Sequence, residues 1–159
     1  SIPTDPMARL ENGNTPLHFA VRMPNPDFTR ALLVAKADPN AIGENEMPVF
    51  REALSSREPE NIYLLAEAGA NINVVWGGKT PLMTTIIVSS WDMAVTLIKM
   101  DADVTFKDKQ GKSFIDIFCN IAHKFTPTAT NKIGIPAIYA ALKERSISVP
   151  CEAELQKFR

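Results

Sequence analysis

Residues 13–20 read Gly13-Asn14-Thr15-Pro16-Leu17-His18-Phe19-Ala20, and the tetrad at their centre returns along the chain. Thr15-Pro16-Leu17-His18 is followed by Met47-Pro48-Val49-Phe50, then Thr80-Pro81-Leu82-Met83, then Ser113-Phe114-Ile115-Asp116. The second residues of these tetrads stand at 16, 48, 81 and 114, with steps of 32, 33 and 33 residues. A second motif trails the first three tetrads: Ala37-Asp38-Pro39-Asn40, Ala70-Asn71-Ile72-Asn73 and Ala102-Asp103-Val104-Thr105, with steps of 33 and 32. Two independent motifs sharing one period identify a repeat architecture, in which each unit is too small to bury its own apolar face and must stack on its neighbours.

The tetrad has a physical meaning. A Thr hydroxyl caps a helix N-terminus, and Pro suits the first helical position because its missing N–H needs no partner there. Leu17, Ala20 and Val21 then share one helical face. A second helix is expected after Pro26-Asp27, turning Phe28, Ala31, Leu32 and either Val34 or Ala35 inward. Gly69 is placed to end the matching helix of the second unit. Asp38 and Asn40 can close local side-chain turns that lead into a projecting hairpin finger.

The period of 33 and the T-P-L-H-x-A signature resemble the ankyrin repeat family. The first repeat matches best, through residues 13–20, Leu32-Leu33 and Ala37-Asp38-Pro39-Asn40. The third follows through Gly78-Lys79-Thr80-Pro81-Leu82 and Leu97-Ile98, and the second through Leu64-Leu65 and Gly69-Ala70-Asn71-Ile72-Asn73. The resemblance implies an all-α solenoid of stacked helix-turn-helix pairs with hairpin fingers. It places a cap segment at 1–11, repeats at about 12–43, 44–76, 77–109 and 110–146, and a tail or cap at 147–159. Met7 and Leu10 are the expected contacts of the N-terminal segment with the first helix pair.

Departures from the family pattern matter too. Its histidine column survives only as His18, with Phe50, Met83 and Asp116 in the other three places, which puts the inter-repeat hydrogen-bond ladder in question. Glu52 falls where a small buried residue belongs, so its helix is expected to be shifted and the carboxylate solvated. In the divergent fourth repeat a helix is expected from Phe114 to about Lys124, a polar loop over 126–135, and a second helix from about Pro136 that uses Ile138, Tyr139 and Leu142.

Composition narrows the function classes. The 159 residues carry 17 Lys and Arg against 18 Asp and Glu, a balance that argues against a polyanion binder. No apolar run reaches the roughly 20 residues of a membrane span. Twelve prolines outnumber seven glycines, which suits periodic helix starts better than Gly-rich phosphate loops. Gly77-Gly78-Lys79-Thr80 echoes only the end of a P-loop, lacks its first glycine, and already has a repeat explanation.

Candidates for chemistry are few. His18 reads as a motif histidine and His123 as a solvated helix-end residue. Asp116, Cys119 and His123 share a helix face at i, i+3 and i+7 and form a conceivable metal half-site, although Cys119 replaces a small core residue and is expected to be a buried, inert thiol. Alternatively Cys119 pairs with Cys151, if the tail folds back and brings their Cα atoms within disulfide range. No cofactor is expected and the chain is read as a non-enzyme.

The family resemblance implies a surface that binds another protein through finger tips and the inner helix ends. Mapped onto this chain, the first finger offers Ile42, Gly43, Glu44 and Glu46, the second Val75, Trp76, Gly77 and Lys79, and the third Lys109, Gln110 and Lys112. Helix ends add Arg22, Met23, Leu54, Ser55, Ile87, Val88, Asn120 and Ile121. Trp76 stands out, since an indole at a fingertip serves an interface better than a core, the alternative being that it folds onto its own hairpin. Ile87 and Val88 together with Trp76 would make an exposed apolar patch, whereas Trp91 is expected to pack. The expected function is a small bacterial inhibitor or immunity-type protein that occludes a partner enzyme, monomeric when free. A secreted effector or adaptor, and a metal-dependent protein built on Asp116, Cys119 and His123, are the alternatives. An exported, periplasmic address is expected, with the cytoplasm as alternative.

Overall fold

The computed structural model describes residues 5, 8–56, 58–124, 126, 128 and 131–158. Secondary structure among them is helical, apart from an isolated antiparallel bridge between Ile42 and Pro48 and bridge residues at Trp76 and Lys79. The chain divides into two compact units, Ser1–Gly77 and Gly78–Arg159.

In the first unit α1 (Pro16–Ala20) and α2 (Asp27–Val34) form one hairpin, and α3 (Val49–Ala53) and α4 (Pro59–Glu67) a second. α1 lies against α3 and α2 against α4, so like helices stack. Pro16 and Pro59 open their helices from the first positions, where a missing N–H costs nothing. Leu17 and Val21 are fully buried with Val49, Ile62 and Leu65, and Ala20 and Ala53 let the backbones approach. Gly69, at φ 91°, ends the turn after α4, a left-handed position that suits glycine. Phe50, in the vacated histidine column, is 1% exposed and fills that place as core instead.

α2 meets the sequence expectation at Leu32 and departs from it at Phe28, Ala31, Val34 and Ala35. Thr29 is its fully buried residue, with Leu32 and Leu33 half-buried, while Phe28 is 51% and Val34 76% exposed and Ala31 and Ala35 also face solvent. α2 meets α1 and α4, and only the side through Thr29, Leu32 and Leu33 has those neighbours. Leu54, expected at the binding surface, is likewise buried.

In the second unit α5 (Pro81–Ile87) pairs with α6 (Trp91–Lys99); α5 lies against α7 (Phe114–Lys124) and α6 against α8 (Asn131–Glu144). Thr80 caps α5 by accepting the Met83 N–H at 3.3 Å, as its motif requires. Ser113 and Asp116 form a full capping box at α7: Asp116 accepts the Ser113 N–H and hydroxyl, both at 2.8 Å, and its own N–H donates to Ser113 Oγ at 3.2 Å. α8 starts at Asn131, a turn before the expected Pro136. Ile135 is fully buried, and Gly134 lies under Trp91, where any Cβ would collide with the indole. That contact holds one helical turn upstream of the proline, whose missing N–H removes only one backbone bond. Trp91 therefore packs, as expected.

The end of the chain forms α9 (Glu152–Leu155) and a 3-10 turn, Gln156–Phe158, with Val149, Leu155 and Phe158 buried. Cys119 of α7 and Cys151 are joined by a disulfide, their Cα atoms 5.4 Å apart. The buried-thiol reading of Cys119 is thus corrected in favour of its alternative. Arg145 closes the end of α6, donating through Nη1 to the Ile98 and Ala102 carbonyls, each at 3.1 Å, with Nε 3.0 Å from Asp101.

Candidate functional site

The first finger runs from Ala41 to Val49. Gly43 and Val49 donate their N–H groups to Met47 and Ala41 carbonyls, both at 2.9 Å, and a 3-10 turn, Glu44–Glu46, forms the tip. Its base is held by His18, which is 3% exposed. The Thr15 N–H donates to His18 Nδ1 at 3.1 Å, so that nitrogen carries no proton; Nε2 lies 3.2 Å from the Met47 carbonyl and donates to it. Burial is the main cause that lowers the pKa of His18 below 6.5, in keeping with this neutral tautomer. One rung of the ladder that the sequence left in question is therefore present in this unit. Asn14 Oδ1 accepts the Glu44 N–H at 2.9 Å, and Arg9 donates to the Ile42 carbonyl at 2.7 Å. Gly43 fits beneath Asn14 and His18 because it has no side chain; a Cβ there would strike both. Leu10 is 36% exposed, and Met7 lies outside the described residues.

The Asx column fixes finger spacing in this unit. Asp38 Oδ1 accepts the Asn40 N–H at 2.8 Å. Asn40 then reaches its neighbour, accepting the Asn71 N–H at 2.7 Å and donating to the Gly69 carbonyl at 3.1 Å. Asn61, fully buried, donates to the Val21 and Met23 carbonyls at 3.2 Å each and ties the end of α1 to α4.

Trp76 is half-buried, and its indole leans on the preceding finger. Nε1 donates to the Asn45 carbonyl at 3.1 Å, and the Arg51 guanidinium lies 5.6 Å from the ring centroid. Burial lowers the Arg51 pKa without removing its charge. The indole is thus an anchored wall of the fingers, and the freely projecting side chain beside it is Val75, 47% exposed. Ile42 is 40% exposed, and Glu44 and Glu46 are exposed. At the helix ends, exposed Arg22 pairs with half-buried Glu52 at 3.4 Å, and Met23 is half-buried. That ion pair is how a carboxylate stands at a position expected to hold a small core residue.

In the second unit Ile87 and Val88 are 54% and 50% exposed, next to fully packed Ile86. Lys109 and Lys112 are exposed and Lys79 half-buried; the Lys109 stem lies over Gly78. Of the expected apolar patch, Trp76 belongs to the first unit and Ile87 and Val88 to the second. The metal half-site loses its ligands: the Cys119 sulfur is bonded to Cys151, and Asp116 is engaged by Ser113. His123 is exposed, and its carbonyl accepts from Lys157 at 3.2 Å. No cluster of metal-ligating side chains occurs among the described residues.

Sequence reading missed Arg51, Asn61 and Arg145. Each acts across a distance in sequence, and none lies in a motif. Asn61 had one available signal, a lone amide on an otherwise apolar stretch, Asn61-Ile62-Tyr63-Leu64-Leu65.

Comparison with known proteins gives a consistent picture. The ankyrin repeat family model matches residues 12–44. Among curated relatives, the chain is 29% identical over 114 residues to the "Transient receptor potential cation channel subfamily A member 1 homolog" of Caenorhabditis elegans, covering 72% of this chain and 9% of that protein. It is 29% identical over 109 residues to "Protein PhlB" of Serratia liquefaciens, covering 67% of this chain and 48% of that protein. The chain therefore spans less than half the length of either relative.

Proposed function

We propose that the chain is an ankyrin repeat protein, a family whose repeats are protein–protein interaction modules, and that it is a non-enzymatic binding protein that occludes a partner enzyme. On this reading four repeats occupy residues 12–146, and the segment 147–159, tied to α7 by the Cys119–Cys151 disulfide, serves as a cap. The observation that carries this reading is the pair of fingers in the first unit. Val75 and Ile42 present apolar surface to solvent beside an indole already held by a hydrogen bond and a guanidinium. Such a surface meets a partner with little loss of side-chain freedom, because its largest member is already ordered. Contacts from Glu44, Glu46, Arg22 and Met23 would set orientation and specificity there, and Lys79, Lys109, Lys112, Ile87 and Val88 offer candidate contacts on the second unit. The likeness to a Serratia protein supports a bacterial setting for an inhibitor or self-protection role. A secreted effector or adaptor would use the same surface and differ only in its partner.

The test places a photo-crosslinking amino acid at Val75, captures the partner from native lysate, and assays the captured enzyme with added protein. Inhibition of that enzyme, together with Trp76→Ala weakening the complex by about 2 kcal/mol, is the expected outcome. A partner whose activity is unchanged on saturation overturns inhibition, and one bound equally well by Val75→Asp and Trp76→Ala overturns the finger surface.

A further inference from the structure

The finger tip of the first unit carries two carboxylates, Glu44 and Glu46, that are in no ion pair among the described residues. Asn45 and Glu46 are both left-handed, at φ 54° and 57°. Asparagine adopts that region readily; glutamate does so at a cost. Trp76 holds the turn from the neighbouring finger through its bond to the Asn45 carbonyl. The effect is to fix Glu44 and Glu46 outward on a short, closed turn. Glu44 accepts one hydrogen bond, from the Asn12 amide at 3.2 Å. Among the described residues no cation is within ion-pair distance of either carboxylate, although Glu52 and Glu60 of the same unit are each paired with an arginine. Beside Glu46 lies an open groove of about 560 Å³, walled by Ile42, Pro48, Val74, Val75 and Trp76.

We propose that this groove docks a partner segment in which a Lys or Arg stands beside an aliphatic residue. This rests on the finger surface of the proposed function and adds its chemistry. A purely apolar occupant would desolvate the Glu46 carboxylate without a partner, which is costly. An acidic occupant would meet Glu44, Glu46 and a unit whose residues 1–77 hold ten Asp and Glu against six Lys and Arg. A basic side chain answers both: its methylene stem lies along Val75 and Ile42, and its charged head reaches the carboxylates at the rim.

The experiment selects displayed short cyclic peptides on the whole chain and, in parallel, on the Glu44→Lys/Glu46→Lys variant, its fold checked by the helical circular dichroism spectrum. Peptides selected on the native protein are expected to place Arg or Lys next to Leu, Ile or Val. Their affinity is expected to fall about tenfold on Glu46→Lys and to weaken with salt, and the double variant is expected to enrich acidic peptides instead. Val75→Asp maps the binding position. Peptides sensitive to Val75→Asp but free of basic residues overturn the charge assignment and leave the finger surface standing. Peptides indifferent to Val75→Asp overturn both, and a selection that yields no binder to the native chain overturns this proposal alone.

Discussion

His18 is the residue on which the first finger depends, and its protonation state is set by its neighbours. Nδ1 faces an N–H donor, so a second ring proton would place donor against donor in a buried site. The folded protein holds the His18 pKa below the unfolded value of 6.5. The unfolded chain therefore binds the proton first as pH falls. The contribution of His18 to stability is complete above 6.5 and is lost as pH drops from there through the lower, folded-state value. Urea titrations across pH 7.5 to about 5 should show this slope, and His18→Ala should flatten it while lowering stability throughout. A slope that persists in His18→Ala would assign it elsewhere. Asp103 and Asp116 act in a separate window. Asp103 is held below 3.8 chiefly by the Thr105 hydroxyl, and Asp116 chiefly by the Ser113 N–H. Their contributions are present above 3.8 and disappear as pH falls below it. Gly43→Ala is the steric counterpart to His18, since its methyl displaces Asn14 and His18 together. A loss of about 1–3 kcal/mol is expected, read from the shift of the denaturation midpoint.

At the scale of elements, the C-terminal cap is held by covalent and apolar means at once. The Cys119–Cys151 bond closes a loop with sequence separation 32. Chain-entropy reasoning gives such a closure about 4 kcal/mol. Cys119→Ser/Cys151→Ser should lower the melting temperature measurably, and an unchanged melt would mean that Leu155 and Phe158 alone secure the cap. A second contact joins α6 to α8 where Trp91 covers Gly134. Gly134→Val forces the indole away and should destabilise the second unit by about 1–3 kcal/mol, whereas Ala137→Val on an exposed position of the same helix should cost far less. The helix starts at Thr15-Pro16 and Thr80-Pro81 were legible as motifs, whereas the Ser113–Asp116 capping box was not read from its tetrad. The start of α8 was not legible either, because Pro136 looks locally like a first helical residue and only the burial of Gly134 and Ile135 carries the helix past it.

At the scale of the whole molecule, repeat architecture makes stability local, each helix pair depending on its immediate neighbours. Hydrogen exchange after reduction of the disulfide should therefore rise first in α9 and the end of α7, with α1 to α4 of the first unit unchanged. Faster exchange throughout the chain would mean a single cooperative block instead.

The order of the helices, their starts at Thr15-Pro16 and Thr80-Pro81 and the finger approaches at Asp38 and Asn71 were determined by sequence alone. Each rests on an interaction within a few residues, and the 33-residue period repeats the same local instruction. What only the tertiary structure decided lies between distant positions: the outward turn of Phe28 and Val34, the disulfide chosen over a buried thiol, and the indole of Trp76 folded onto Asn45. Helix periodicity tells which side chains share a face, but not which of two faces a neighbouring helix will cover. That choice is made by packing, and so are the closed tip and the exposed carboxylates at Glu44 and Glu46.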